Sequence, residues 1–154
     1  MAFWLFKTEP DVFSIDDLCK LGEADWEGVR NYQARNFLRD QVAVNDKVFI
    51  YHSSCKIPAI VGVATITKSA HPDPTQFDHA SPYFDKKALQ TDPRWYQVTV
   101  KFEQKFVKPI PLSQLKNDNN LTDLLLIKKG SRLSIIPLED THWNHIINTH
   151  LIKF

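Results

Sequence analysis

With 154 residues and a formal net charge of +1, the chain has no whole-molecule field to draw it onto nucleic acid. Any such contact must come from a local patch or a pocket. Its 43% hydrophobic and 24% charged residues exclude a disordered or fibrous chain and suit one domain, 1–154, with a core that needs no disulfide. Cys19 and Cys55 lack paired spacing and read as buried thiols in a reducing compartment. The apolar start meets Lys7 too soon for a signal peptide or a membrane span. The expected location is cytoplasmic, or nuclear in a eukaryote, with no membrane partner.

Phe3 to Lys7 is apolar on both faces, which predicts a strand inside a sheet or barrel, ended by Pro10. Ser14, with Asp17 three residues on, predicts a capped helix with Leu18 and Leu21 inward and Gly22 as its stop. Glu23 to Gly28 reads as a loop carrying Trp26. A second helix is expected from Tyr32 to Gln41, capped by Asn31, with Ala34, Phe37 and Leu38 inward. Asp46 to His52 and Pro58 to Lys68 read as strands, and Gly62 marks a bulge or a close approach.

Ser69 to Pro93 reads as a long ordered loop, of a length that usually serves function. Trp95 to Phe106 alternates as a strand does, and Pro109 and Pro111 are expected to break the sheet. Leu112 to Lys116 reads as a short helix, and Leu121 to Leu126 as a short apolar segment. Lys128 to Arg132 reads as a basic turn before a strand at Leu133 to Ile136. Asp140 to Thr149 reads as a last helix with Trp143, Ile146 and Ile147 inward.

The least ordinary stretch is Trp26 to Asn36, WEGVRNYQARN. It holds planar stacking groups and planar hydrogen-bonding groups where a core segment would hold aliphatics. Those are the side chains needed to grip a flat heterocycle. Trp26 beside Gly28 suits one wall of a ring-sized slot; the plain alternative is an indole plugging the end of the fold. Asn31 suits a base edge, a helix cap, or both. Tyr32 either flanks the pocket or packs on the sheet. Arg30 stands beside a helix N-terminus, and Arg35 is a candidate phosphate clamp, whereas Arg39 next to Asp40 reads as a solvated pair.

Lys7 and Glu9 lie at the end of the first strand, either in the site or as a surface pair. Tyr51, His52 and Ser53 end another strand and are candidates to line a pocket. A catalytic His52 lacks a carboxylate to orient it. Lys128, Lys129, Ser131 and Arg132 around Gly130 suit either a phosphate-binding turn or a solvated one. His71, Asp73, His79 and Asp85 follow no defensible zinc spacing, and no metal or cofactor is expected.

The segments WLFKTEP, WEGVRNYQARNFLRD, VFIYHSS, IVGVATI, RWYQVTVKF and KKGSRLSI, in this order, resemble the EVE domain over essentially the whole chain. The resemblance implies an α+β, PUA-like fold: a small mixed β-barrel with flanking short helices, similar to the YTH and SRA domains that hold a modified base in an aromatic cage. It implies a non-enzymatic module that recognises a modified base, modified cytosine in DNA or a modified RNA base.

On that reading Trp26 walls the pocket. Asn31 and Tyr51 or Ser53 read the base edge, with Arg30, Tyr32, His52, Lys7 and Glu9 nearby. Arg30, Arg35 and the Lys128–Arg132 turn, with Lys129, Ser131 and Arg132, hold the backbone. Trp26→Ala is expected to abolish preference without lowering the melting temperature. A protein partner with an effector activity is compatible with such a module. The alternatives are a module for a free nucleotide or small metabolite, and a nucleotide-acting hydrolase using His52 and Glu9.

Overall fold

A computed structural model describes residues 1–151; residues 152–154 of the expected domain lie outside the described part. Six strands form one mixed sheet: β1 (Phe3–Thr8), β2 (Glu23–Asp25), β3 (Lys47–His52), β4 (Ala59–Pro72), β5 (Tyr96–Pro111) and β6 (Ile135–Leu138), in the order β2-β5-β4-β3-β1-β6. β1 and β3 run parallel, and the other neighbours are antiparallel. A parallel pair needs a long crossover. Here it is residues 9–46, which carry α1 (Ile15–Leu21), β2 and α2 (Tyr32–Asp40).

The expected closed barrel is corrected. Among the described residues the edge strands β2 and β6 do not pair, and the sheet stays open. The reason is visible in β1 and β3, which are apolar on both sides. Trp4, Phe6, Val48 and Ile50 pack under α1 and α2 with Ile15, Leu18, Ala34 and Leu38. Leu5, Phe49 and Tyr51 face the other core, covered by α3 (Leu112–Lys116), α4 (Asp140–Thr149) and two 3-10 turns through Leu115, Leu121, Leu124, Trp143 and Ile146. Strands buried on two sides need a cover on each, so helices take the place of a barrel interior.

The Ser14–Asp17 capping box forms in both directions, and Gly22 ends α1. Its stripe is Ile15 and Leu18, while Leu21 is exposed. The thiols are not buried: Cys19 lies on the solvent side of α1 and Cys55 is half-buried, both unpaired. β4 and β5 run past their expected ends, to Pro72 and through Pro109 to Pro111, and β6 begins two residues later than expected. At Gly62 the β4–β5 register shifts, and a Cβ would lie 2.4 Å from the Gln104 carbonyl oxygen. The close approach expected there is to backbone. Among the described residues, no helix is long and apolar enough to cross a membrane.

Candidate nucleic-acid interface

The crossover lays Trp26 to Asn31 along a cleft of about 810 Å³ between the end of β1, the start of α2 and the loop after β4. Asn31 caps α2: its side-chain carbonyl oxygen accepts the Ala34 N–H at 2.9 Å, so its NH2 is the part left to face a ligand. Gly28 has φ +85°, and a Cβ there would meet the Tyr83 ring at 2.6 Å. The glycine therefore lets an aromatic ring from a segment distant in sequence lie directly on the backbone.

Arg30 holds that arrangement. Its Nε donates to the Tyr83 carbonyl, Nη1 to the carbonyl of Val29 and to Asp73 Oδ2, and Nη2 to Thr75 Oγ1 and again to Tyr83. Every guanidinium N–H is thereby engaged within the chain. The group also lies 5.5 Å from the Tyr83 ring centre and 5.4 Å from that of Trp95. Asp73 is fully buried, and Gly28 N–H donates to it at 2.8 Å. Burial pushes its carboxyl up, but bonds from Gly28, Thr75 and Arg30 outweigh this and hold it below the usual range.

Gln76, also fully buried, stitches the loop to β5 by donating to the Asp73 and Trp95 carbonyls and accepting from Arg94 and Trp95 N–H. Trp95 Nε1 donates to Asp85 Oδ2 at 2.8 Å. The long loop is thus ordered by buried polar groups, each with a partner.

The cleft is walled by Phe13, Trp26 and Tyr83 and rimmed by Lys7, Glu9, Asp25, Glu27 and Arg132, with Ser53 and Ser134 at its side. Trp26 is only 6% exposed and packs against Phe6 and Phe13, with ring centres 5.4 and 5.9 Å away. Burial and the neighbouring Asp73 and Asp25 raise the Glu27 carboxyl, and burial lowers the Lys7 ammonium.

The sequence pattern of the EVE domain matches residues 2–149. The chain belongs to the EVE domain family. It is 39% identical to thymocyte nuclear protein 1 of Mus musculus across 95% of this chain and 72% of that one. An X-ray crystal structure from Pseudomonas putida is 49% identical, with a TM-score of 0.93 over 96% of this chain and 98% of that one. The crystal structure of human THYN1 protein in complex with 5-methylcytosine containing DNA is 36% identical, with a TM-score of 0.90 over 96% of each chain.

Of the site residues expected from sequence, this EVE domain brings Lys7, Glu9, Trp26, Arg30, Asn31, Ser53 and Arg132 to the cleft. It places the others elsewhere. Tyr51 points into the opposite core, and burial raises its phenol to about 12. His52 Nε2 accepts the Ile15 N–H at 3.1 Å and so seats α1. Tyr32 stacks on Trp95 at 4.9 Å beyond the cleft. Arg35 lies over Tyr32 and donates to the Arg94 carbonyl. Lys129 and Ser131 lie in the turn that leads to Arg132, outside the cleft lining.

Arg30 reaches the cleft, but as a clamp on protein rather than a hand for phosphate. Sequence reasoning missed Phe13, Asp25, Glu27 and, above all, Tyr83. Its only signal in sequence is an aromatic in a long loop, and nothing local ties it to Gly28.

Proposed function

We propose that this EVE domain binds DNA and receives a modified cytosine, swung out of the duplex, in the cleft beneath Tyr83. The observation that carries the reading is the close match in fold to the human protein complexed with 5-methylcytosine containing DNA. The site supports it in three ways. Tyr83 and Trp26 bring aromatic surface to one cavity, and base stacking on such rings contributes about 1–3 kcal/mol. Asp25 and Glu27 lie at the rim, and carboxylates accept hydrogen bonds from the amino group of cytosine, which thymine lacks. Lys7 and the Asn31 NH2 supply donors for the ring's carbonyl edge. The EVE domain is a nucleic-acid-binding domain and not a known enzyme, which agrees with a site that stacks and hydrogen-bonds.

The test is fluorescence anisotropy with duplexes that differ at one base, cytosine or 5-methylcytosine, at fixed low salt. Wild type should prefer the methylated duplex by about fivefold or more, within the 1–3 kcal/mol that one methyl in an apolar slot is worth. Tyr83→Ala should lose the preference while its melting temperature stays near wild type. Equal affinity for both duplexes would overturn the modified-base reading. A free nucleoside competing as well as the duplex would transfer the site to small ligands.

A further inference from the structure

On the other side of the sheet, three side chains from two segments converge. Asp118 follows α3 and caps the 3-10 turn Asn119–Leu121. His145 lies on α4, and His150 is that helix's C-cap. The Nε2 atoms of both histidines lie 2.6 Å from the same oxygen, Asp118 Oδ2. The rings stand almost perpendicular, with centres 5.9 Å apart, and none of the three residues lines the base cleft. His150 and Asp118 are under 10% exposed at their side chains, whereas His145 keeps a quarter of its surface open.

We infer that Asp118, His145 and His150 form a binding site for a divalent late transition-metal ion, with zinc as the best-matched probe. Two imidazole nitrogens and one carboxylate oxygen are a common donor set for such ions, and three protein ligands leave a coordination position for water. The ligand atoms all lie within 4.8 Å of one another. Tetrahedral zinc with bonds of about 2.0–2.2 Å holds its ligands about 3.4 Å apart, so each nitrogen needs to withdraw from Asp118 by under about 1 Å.

The outer partners are also present. The Gln114 side-chain amide lies 2.8 Å from His150 Nδ1, and the Thr149 hydroxyl 3.4 Å from His145 Nδ1. Asp118 Oδ1 accepts the Asn120 N–H at 2.9 Å, which leaves Oδ2 as the metal-facing atom. Groups of this kind fix ring orientation at metal sites.

Without metal, each Nε2 carries a proton donated to Asp118. On coordination each ring carries its proton on Nδ1 and gives its Nε2 lone pair to the ion. The Gln114 amide then turns its carbonyl oxygen toward His150 Nδ1–H, and the Thr149 hydroxyl accepts from His145. A neighbouring group, Asp123, Glu139 and His142, is a competing location with one histidine and two exposed carboxylates.

The experiment is calorimetric titration of the full chain with zinc chloride, alongside nitrogen-15 spectra of the histidine rings. One ion should bind per chain, and the proton on the Nε2 of His145 and His150 should be lost. His145→Gln keeps a donor for Asp118 but removes the imidazole ligand, so affinity should fall about tenfold or more while the metal-free melting temperature holds. His150→Gln should act likewise, and His142→Gln should leave binding unchanged. No saturable binding, or equal affinity in wild type and the His145 variant, overturns the site. Loss on His142→Gln with none on His145→Gln places the ion in the neighbouring group and overturns it too.

Discussion

Arg30 shows how residue type and residue role come apart. An arginine beside a helix N-terminus in a base-binding stretch suggests a phosphate clamp, but its whole fork is turned onto the loop at Asp73, Thr75 and Tyr83. Removing it leaves a fully buried carboxylate without its cation, held only by neutral donors from Gly28 and Thr75. Breaking one side of a buried pair costs about 3–5 kcal/mol, so Arg30→Ala should lower the unfolding free energy measured in urea by that order, and the urea midpoint with it. Arg30→Lys should recover only part of the loss, since an ammonium cannot reproduce the fork. An unchanged midpoint with weakened DNA binding would restore the phosphate role.

Trp26 follows the same lesson in reverse. Its position at the site was legible from the stretch around it, but its depth was not, because the covering residues Phe6 and Phe13 come from other segments. Trp26→Ala is therefore no clean test of binding. Emptying a buried indole costs about 3–5 kcal/mol, contrary to the unchanged melting temperature expected from sequence. Tyr83 is the separable aromatic.

At the level of elements, helices with local signals were legible to within a residue or two. The Ser14–Asp17 box, the Asn31 cap and the apolar stripe of α4 are all written in adjacent residues. β2 was not, since Glu23-Ala24-Asp25 has no strand character and exists only because β5 offers it an edge. Tyr51 and His52 were assigned to a pocket because a strand apolar on both sides does not disclose which side faces a ligand. Alternation sends Tyr51 to the far core and leaves His52 near α1.

That placement of His52 makes α1 sensitive to acid. Burial pushes its imidazole below the ordinary 6.5, with Asp16 pulling upward and Lys105 downward. A folded value below the unfolded one means the unfolded chain binds the proton more readily. The contribution is complete above 6.5 and is lost as pH falls through the folded value. The bond from Ile15 N–H also requires an unprotonated Nε2. His52→Gln offers an amide oxygen that accepts the same N–H and does not titrate. Between about pH 7.5 and about pH 5.5, wild type should lose more stability in urea than this variant. Parallel pH profiles for the two proteins would remove His52 from the account.

For the molecule as a whole, the near-zero net charge acquires a consequence once its cations are placed. Arg30 and Arg35 are engaged within the chain, Arg39 pairs with Asp40, Lys47 with Glu103 and Lys105 with Asp16. Besides Arg30, the cations in the cleft lining among the described residues are Lys7 and Arg132, with exposed Lys128 and Lys129 in the turn just before Arg132. Each phosphate neutralised on duplex DNA contributes about −0.9 to the slope of log affinity against log salt, so the slope should lie at about −2 to −4. Lys129→Ala should make it shallower by about one unit if that turn meets the backbone. The preference for the methylated duplex should survive across the salt range, because it arises in the cleft and not at the phosphates. A slope steeper than about −6 would require a broad basic face. A preference that vanished with rising salt would move recognition from the base to the backbone.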